Sequence, residues 1–551
     1  MGPLRTLPEA LDRAARSNEG YTFVAGGVDV RRSYADIQDA SFRVARALRD
    51  AGLERGDVVA LVITDAAQFL TALFGASIAG LVPASLAPPT VTGEPSRYFE
   101  LAAATLRAAG ARAVVASGAL VAGFKGVRAS VADLALVLSR DDLDASPLDP
   151  DTRPALDDIA FVQFTSGSTS APKGVALSHR NLCANIDAIN GPAGLATTSE
   201  DSGVSWLPLY HDMGLVGMAL GPLYSARPVA LLTPQAFIKR PAEWLKAMSR
   251  YRATVSFAPN FGYDLALRRI REGDLEGLDL SCWRIAGCGA EPIHAPTLAA
   301  FAEKFKGVGF RATSFLPCYG LAEHVLAATL PSRGRPLRVE PSPASHAEAG
   351  GQFVHSEADV PSIVCCGRAL PGHDLLVVRE DGGEAREHEI GEITLAGPSV
   401  MLGYYRDEAS TAEVIRNGRL HTGDLGYLSG GELFVCGRAR DIIIVNGRKY
   451  HPQDLEWVVD DLAGVRRGRV AAFGISEQGR GDRVVLVVET NGASSPETLA
   501  ETIRRRISEA FGLYVDEVVS VPSGTIGRTT SGKVQRAAVK AQHERGAFDD
   551  R

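Results

Sequence analysis

Short apolar runs alternate with helix-like stretches through most of this sequence, and that alternation narrows its possible folds more than anything else. The runs include residues 58–63 (VVALVI), 113–116 (AVVA), 159–164 (IAFVQF), 229–232 (VALL) and 255–258 (VSFA). Between them lie segments with helical spacing, such as Leu7, Ala10, Leu11 and Ala14 at i, i+3, i+4 and i+7. Strands fed by helices in this way read as an α/β fold with largely parallel sheets. A chain of 551 residues is too long for one core, so two or more domains are expected.

After about Ser362 the texture changes to shorter strands and glycine turns, as in residues 391–397 (GEITLAG). A second boundary falls near Gly437 to Asp441. Beyond it, strands are predicted over 442–445, 470–473 and 484–489, followed by a helix presenting Leu499, Ile503, Ile507 and Phe511 on one face. That is a compact α+β unit of about a hundred residues. Residues 331–361, rich in Pro, Ser, Gly and charge, read as a long excursion or inserted element.

Bulk properties remove several classes of function. A net charge of −7 argues against nucleic acid as a partner. The seven cysteines show no C-x-x-C pair and no ligand-like histidine spacing, which suits reduced thiols in a cytoplasmic protein. Pro8 and Glu9 interrupt any signal-peptide core. Residues 66–82 are uncharged and apolar, but short for a span and broken by Gln68, Thr71 and Ser77. No transmembrane segment is expected there, only a buried helix behind the strand at 58–63.

The chemistry concentrates in short motifs. Residues 163–174 (QFTSGSTSAPKG) place hydroxyls, a glycine and Lys173 behind a strand. Small hydroxylated residues let backbone and side-chain donors converge on an anion, and lysine adds a point charge. A P-loop is excluded, because Pro172 precedes Lys173 and Gly174 follows it. Alone, such a loop also reads as a solvated turn. Further on come 206–214 (WLPLYHDMG), 287–292 (GCGAEP), 318–323 (CYGLAE), 421–424 (HTGD), 437–438 (GR) and 527–536 (GRTTSGKVQR).

In this order the segments resemble the core motifs of the adenylate-forming superfamily of acyl-CoA synthetases, luciferases and nonribosomal adenylation domains, over nearly the whole chain. The resemblance implies a large N-terminal adenylate-forming domain over 1–437, built of stacked α/β subdomains plus a β-rich subdomain. A hinge over 438–445 and a small mobile α+β domain over 446–551 would follow. It implies ATP and Mg²⁺ as cofactors. Thr165, Ser166, Gly167, Ser168, Thr169 and Lys173 would hold the phosphates, and His211 would line the junction of acid and ATP. Gly289, Ala290, Glu291, Tyr319 and Gly320 would flank the adenine, while Asp424 and Arg438 would take the ribose. Glu323, with Thr165, would hold the metal, since Mg²⁺ favours one or two carboxylates plus phosphate oxygens. Asp441 would be the pivot. Lys533 would meet the reacting carboxylate and the α-phosphate, where negative charge develops.

Within the superfamily, three features resemble fatty acyl-AMP ligases. They are the wording of 206–217, the CYGLAE motif with Ala322 where most members carry threonine, and the long interval from Glu323 to Gly367, whose excess falls in 331–361. In that subfamily an insertion there restrains the small domain. The implied reaction joins a fatty acid to AMP and passes the acyl group to an acyl carrier protein, a separate chain or module. Transfer to CoA is the alternative. Met218, Phe237 and Phe261 are candidates to line an acyl tunnel.

Overall fold

The computed structural model describes residues 4–89, 95–148, 153–164, 172–341, 362–446, 448–477, 481–528 and 534–548. The alternating runs become two seven-stranded sheets. The first runs, in spatial order, Gly403–Tyr404, Gly174–Ser178, Ile159–Phe164, Val82–Ser85, Val58–Val62, Ala113–Ala116 and Leu136–Ser139. Its last five strands are parallel, and Gly174–Ser178 turns back antiparallel on Ile159–Phe164. The second runs Phe315–Pro317, Ile285–Cys288, Val255–Ala258, Gly203–Ser205, Val229–Leu232, Gly20–Ala25 and Val28–Ser33, parallel except for its final pair. Val58–Val62 is buried at every residue, as a strand covered on both faces must be.

The apolar stretch after Val58–Val62 is the helix Ala66–Ile78, capped by the Asp65 carboxylate on the Gln68 N–H at 2.8 Å. It is buried from Phe69 to Ile78. At Gly75 it lies so close to the helix Tyr34–Asp50 that an added Cβ would meet Val44 at 2.8 Å. Among the described residues no helix is long and apolar enough to cross a membrane.

An antiparallel sheet of Asp374–Val378, Gly391–Ala396, Arg419–Ser429, Ile415–Arg416 and Glu432–Arg438 forms the β-rich part. From Ile443 onward the chain builds its own core. The strands Val465–Glu477, Gly481–Thr490 and Glu517–Val521 form one sheet, against which the helix Pro496–Phe511 buries Leu499, Ile503, Ile507 and Phe511. The 331–361 excursion is more ordered at its base than its composition suggests. Val339–Pro341 pairs antiparallel with Ser362–Val364, while residues 342–361 lie outside the described residues. The Arg338 guanidinium bonds the Ser429 carbonyl at 2.9 Å and Glu432 at 2.8 Å, so this stem is fastened to the β-rich part.

The aromatic core under the second sheet matters later. Trp244 packs edge-on against Trp206 (6.1 Å) and Trp283 (5.2 Å), whereas Trp457 stands apart in the C-terminal unit against the ring of His294, at 5.1 Å.

Candidate active site

Ile159–Phe164 and Gly174–Ser178 put Phe164 opposite Gly174, so both ends of the hydroxyl-rich loop are held in one hairpin register. Thr165, Ser166, Gly167, Ser168 and Thr169 lie outside the described residues. Lys173 is described, and its ammonium sits 4.9 Å from the centroid of the Tyr404 ring. Gln163, just before the loop, donates to the Tyr210 carbonyl at 2.8 Å and ties the loop's approach to the histidine motif.

That motif leaves Gly203–Ser205 and turns tightly. A Cβ at Gly214 would lie 2.2 Å from the Pro208 carbonyl oxygen, so only glycine fits. His211 then precedes a π-helical stretch, Met213–Leu220, a rare geometry with wider turns that helical periodicity does not reveal. Asp212 Oδ1 lies 2.6 Å from His211 Nδ1, and the Met213 N–H approaches the same nitrogen at 3.3 Å, so the imidazole is held on its Nδ1 side. Behind it, Trp206 stacks on Phe237 at 3.8 Å and meets Phe261 edge-on at 5.8 Å. Of the three tunnel candidates, Met218 and Phe237 are buried and Phe261 is half-buried.

Residues 289–291 follow the strand Ile285–Cys288. Gly289 passes so near Cys318 that a Cβ would meet its sulfur at 2.6 Å, and Ala290 sits in the left-handed region at φ +67°. The Glu291 side chain accepts the Phe261 N–H at 2.6 Å, which leaves the local backbone to present the edge of the turn. Burial and the nearby Asp212 carboxylate push the Cys318 thiol up to about 12, so the histidine motif and this turn share one neighbourhood.

Tyr319 comes next. Its hydroxyl donates to Asp424 Oδ2 at 2.8 Å, and Arg438 Nε lies 3.2 Å from Asp424 Oδ1. Register explains the second contact, because Asp424 and Arg438 are direct partners on adjacent antiparallel strands. Burial, then the Asp424 charge, hold the Tyr319 phenol well above its usual range, so it remains a donor.

Glu323 lies in the single turn Ala322–His324. Val325 beyond it has φ +66° and ψ −62°, a strained conformation for a β-branched residue, closed by Leu326 N–H to the His324 carbonyl at 2.8 Å. Tertiary contacts hold the turn: Met401 N–H donates to the Glu323 carbonyl at 2.9 Å, and the Tyr404 hydroxyl donates to Glu323 Oε1 at 2.9 Å. Burial raises the Glu323 carboxyl, while Tyr404 and the Arg438 charge oppose that rise. A partly buried carboxylate with one neutral donor is a fitting ligand for a hard cation.

Tyr404 is the residue that sequence reasoning missed. Its short strand pairs with Val175, and Tyr405 N–H donates to the Gly174 carbonyl at 2.7 Å. One tyrosine thereby touches Lys173 with its ring and Glu323 with its hydroxyl.

At the entry to the C-terminal unit, Gly437 has φ +142°, and a Cβ there would lie 2.8 Å from Gln453 Nε2. Asp441 sits between two guanidinium groups, Arg440 Nε at 3.6 Å and Arg536 Nη1 at 3.7 Å. Lys533 lies outside the described residues, but its flanks are pinned. Arg528 and Val534 form an antiparallel bridge, and Gln535 N–H donates to the Gly527 carbonyl at 3.0 Å.

The profile of a family described as AMP-binding enzyme matches residues 11–405, and one described as Disco-interacting protein 2-like, AMP domain, matches residues 440–549. A protein of Caulobacter vibrioides, named provisionally as an acyl-CoA synthetase, is 37% identical over 556 residues, covering 99% of this chain and 96% of its own length. The medium-chain-fatty-acid–[acyl-carrier-protein] ligase JamA of Moorena producens is 32% identical over 565 residues, covering 97% and 93% respectively. A solved structure from work on fatty acyl-adenylate ligases of E. coli and L. pneumophila superposes with a TM-score of 0.91 at 36% identity, over 99% of this chain and 100% of that one.

Proposed function

This chain belongs to the AMP-binding enzyme family, and we propose that it adenylates a fatty acid and passes the acyl group to the phosphopantetheine thiol of an acyl carrier protein. In the first step the carboxylate oxygen attacks the α-phosphorus of ATP, the bond to the β-phosphate oxygen breaks, and pyrophosphate leaves. In the second the thiol displaces AMP from the mixed anhydride.

The observation that carries the first step is the Tyr319–Asp424–Arg438 constellation beside Glu323. Asp424 accepts from the ribose hydroxyls while Tyr319 and Arg438 fix its two oxygens. The Tyr319 ring lies along the base, and the backbone of 289–291 meets its edge. His211 orients the fatty carboxylate, and the apolar wall of Trp206, Phe237 and Phe261 receives the chain. Glu323 and Thr165 would hold Mg²⁺, which would neutralise charge at the phosphate oxygens. Lys173 and the 165–169 hydroxyls hold the outer phosphates, and Lys533 faces the charge that develops at phosphorus.

The carrier-protein acceptor is supported by the name of the Moorena producens relative and by the fastened stem, Val339–Pro341 on Ser362–Val364, at the base of the excursion. The name of the Caulobacter vibrioides relative favours a second reading, transfer to CoA. Giving the enzyme ATP and fatty acid with either CoA or a holo carrier protein separates them. Acyl-CoA formed as readily as the acylated carrier protein overturns the first. All seven cysteines are free, which supports a cytoplasmic location.

Tyr404→Phe keeps the ring beneath Lys173 but removes the hydroxyl from Glu323. The Mg²⁺ concentration for half-maximal pyrophosphate release is expected to rise at least ~10-fold, the lower end for losing a group that orients a metal ligand. An unchanged Mg²⁺ dependence would separate Tyr404 from the metal.

A further inference from the structure

A polar cavity of about 370 Å³ is lined from the helices Leu7–Ala14 and His179–Asn190, the segment 197–199 and the turn at 224–227. Tyr224, on its wall, closes the helix Gly221–Tyr224, at the far end of the helical stretch that begins after His211. No residue assigned to ATP or to the acyl chain lines it.

Three arginines do, and among the described residues none of them makes an ion pair. Arg13 Nη1 donates to the Tyr224 carbonyl at 3.0 Å. Arg227 donates through Nε to the Ser225 carbonyl at 3.1 Å and through Nη1 to the Ser199 carbonyl. The Arg5 side chain bonds no described residue, while its carbonyl accepts the Tyr224 hydroxyl at 3.4 Å. Most guanidinium N–H groups therefore remain unspent, although the frame behind them is fixed. Asn190 donates to Ser225 Oγ at 2.9 Å, and the Tyr34 hydroxyl donates to the Arg227 carbonyl at 2.6 Å.

Asp187 lines the same cavity. Neither of its carboxylate oxygens takes a hydrogen bond from a described residue, and Oδ2 is shut off from water. Burial raises its carboxyl, and the Arg5 and Arg13 charges oppose that rise only in part. Three cations thus stand against one under-bonded carboxylate, in a chain whose net charge is −7.

Guanidinium forks match phosphate oxygens, and a phosphate monoester carries enough of them to engage several forks together. The carboxylate calls for a donor, which a hydroxyl or ammonium on the same ligand supplies. A bare anion would leave most of a cavity of small-molecule size unfilled. We propose that this cavity binds a small soluble phosphate monoester carrying a hydroxyl or amino group, its phosphate on Arg5, Arg13 and Arg227 and its donor on Asp187. The site does not depend on the acyl-adenylation reading above.

Isothermal titration of the full chain with glycerol 3-phosphate, O-phosphoethanolamine and inorganic phosphate tests it. At least one ester should bind wild type saturably, about tenfold or more tighter than inorganic phosphate. Arg5→Gln should weaken that ester about tenfold, the scale for one charge-assisted hydrogen bond, and this variant separates the cavity from the residues assigned to ATP. Asp187→Asn should weaken the ester by a similar factor and leave inorganic phosphate unchanged. No saturable binding of either ester, equal affinity for inorganic phosphate, or ester binding untouched by Arg5→Gln or by Asp187→Asn overturns the proposal. Flotation with phosphatidic acid vesicles, in the absence of any soluble ester bound, overturns it too. Should Arg5→Gln fail to fold, as judged by thermal unfolding, Arg227→Gln must show the same loss.

Discussion

Replacing Lys533 with alanine is expected to lower acyl-adenylate formation by about 10²–10³-fold, the scale for losing one preorganised contact to developing transition-state charge. ATP binding should change little, because the phosphates and ribose are assigned to groups outside the small domain. The bridge between Arg528 and Val534 and the bond from Ile526 N–H to Glu489 at 2.9 Å hold the flanks of residues 529–533 on the body of the small unit. The described residues on both sides of this motif are thus braced, as support for a catalytic contact requires. Fatty-acid-dependent pyrophosphate release measures the first step, and direct titration with ATP measures binding. Near-normal adenylation would refute the assignment.

Asp424→Ala should weaken nucleotide binding by about 10²-fold, since two hydrogen bonds to a charged acceptor are lost at ~1.5 kcal/mol or more each. The substitution also leaves the Tyr319 hydroxyl without its acceptor and Arg438 without its carboxylate. Asp424→Asn keeps one acceptor oxygen and should fall between. Calorimetric titration with AMP isolates the effect from the chemistry; an unchanged dissociation constant would remove Asp424 from the ribose site.

The sheets were legible because their strands are apolar on both faces, as Val58–Val62 shows. The motifs were legible as words, but their meeting in space was not. Asp424 and Arg438 face each other only because their strands turn back at Gly430 and Gly431 in one particular register. Tyr404 was hidden for a related reason: a two-residue strand has no period, and its partner Val175 lies far away in sequence. The stem at Val339–Pro341 escaped notice because its partner strand lies across the long excursion and Val339 is its single large apolar residue. Arg536 stood in plain view inside the last motif, yet only folding shows that it reaches both Glu456 and Asp441. The π-helical stretch after His211 breaks the periodicity by which helices are read.

The distribution of the four tryptophans has an optical consequence. Trp206, Trp244 and Trp283 are locked in one aromatic core of the large unit, each almost wholly shielded from water. Trp457 alone rests on the seam between the two units, half-covered by His294. Any swing of the small unit would wet that one indole and leave the other three as a constant background. The enzyme thus carries a built-in fluorescent gauge of its own domain movement, readable during turnover without an attached dye.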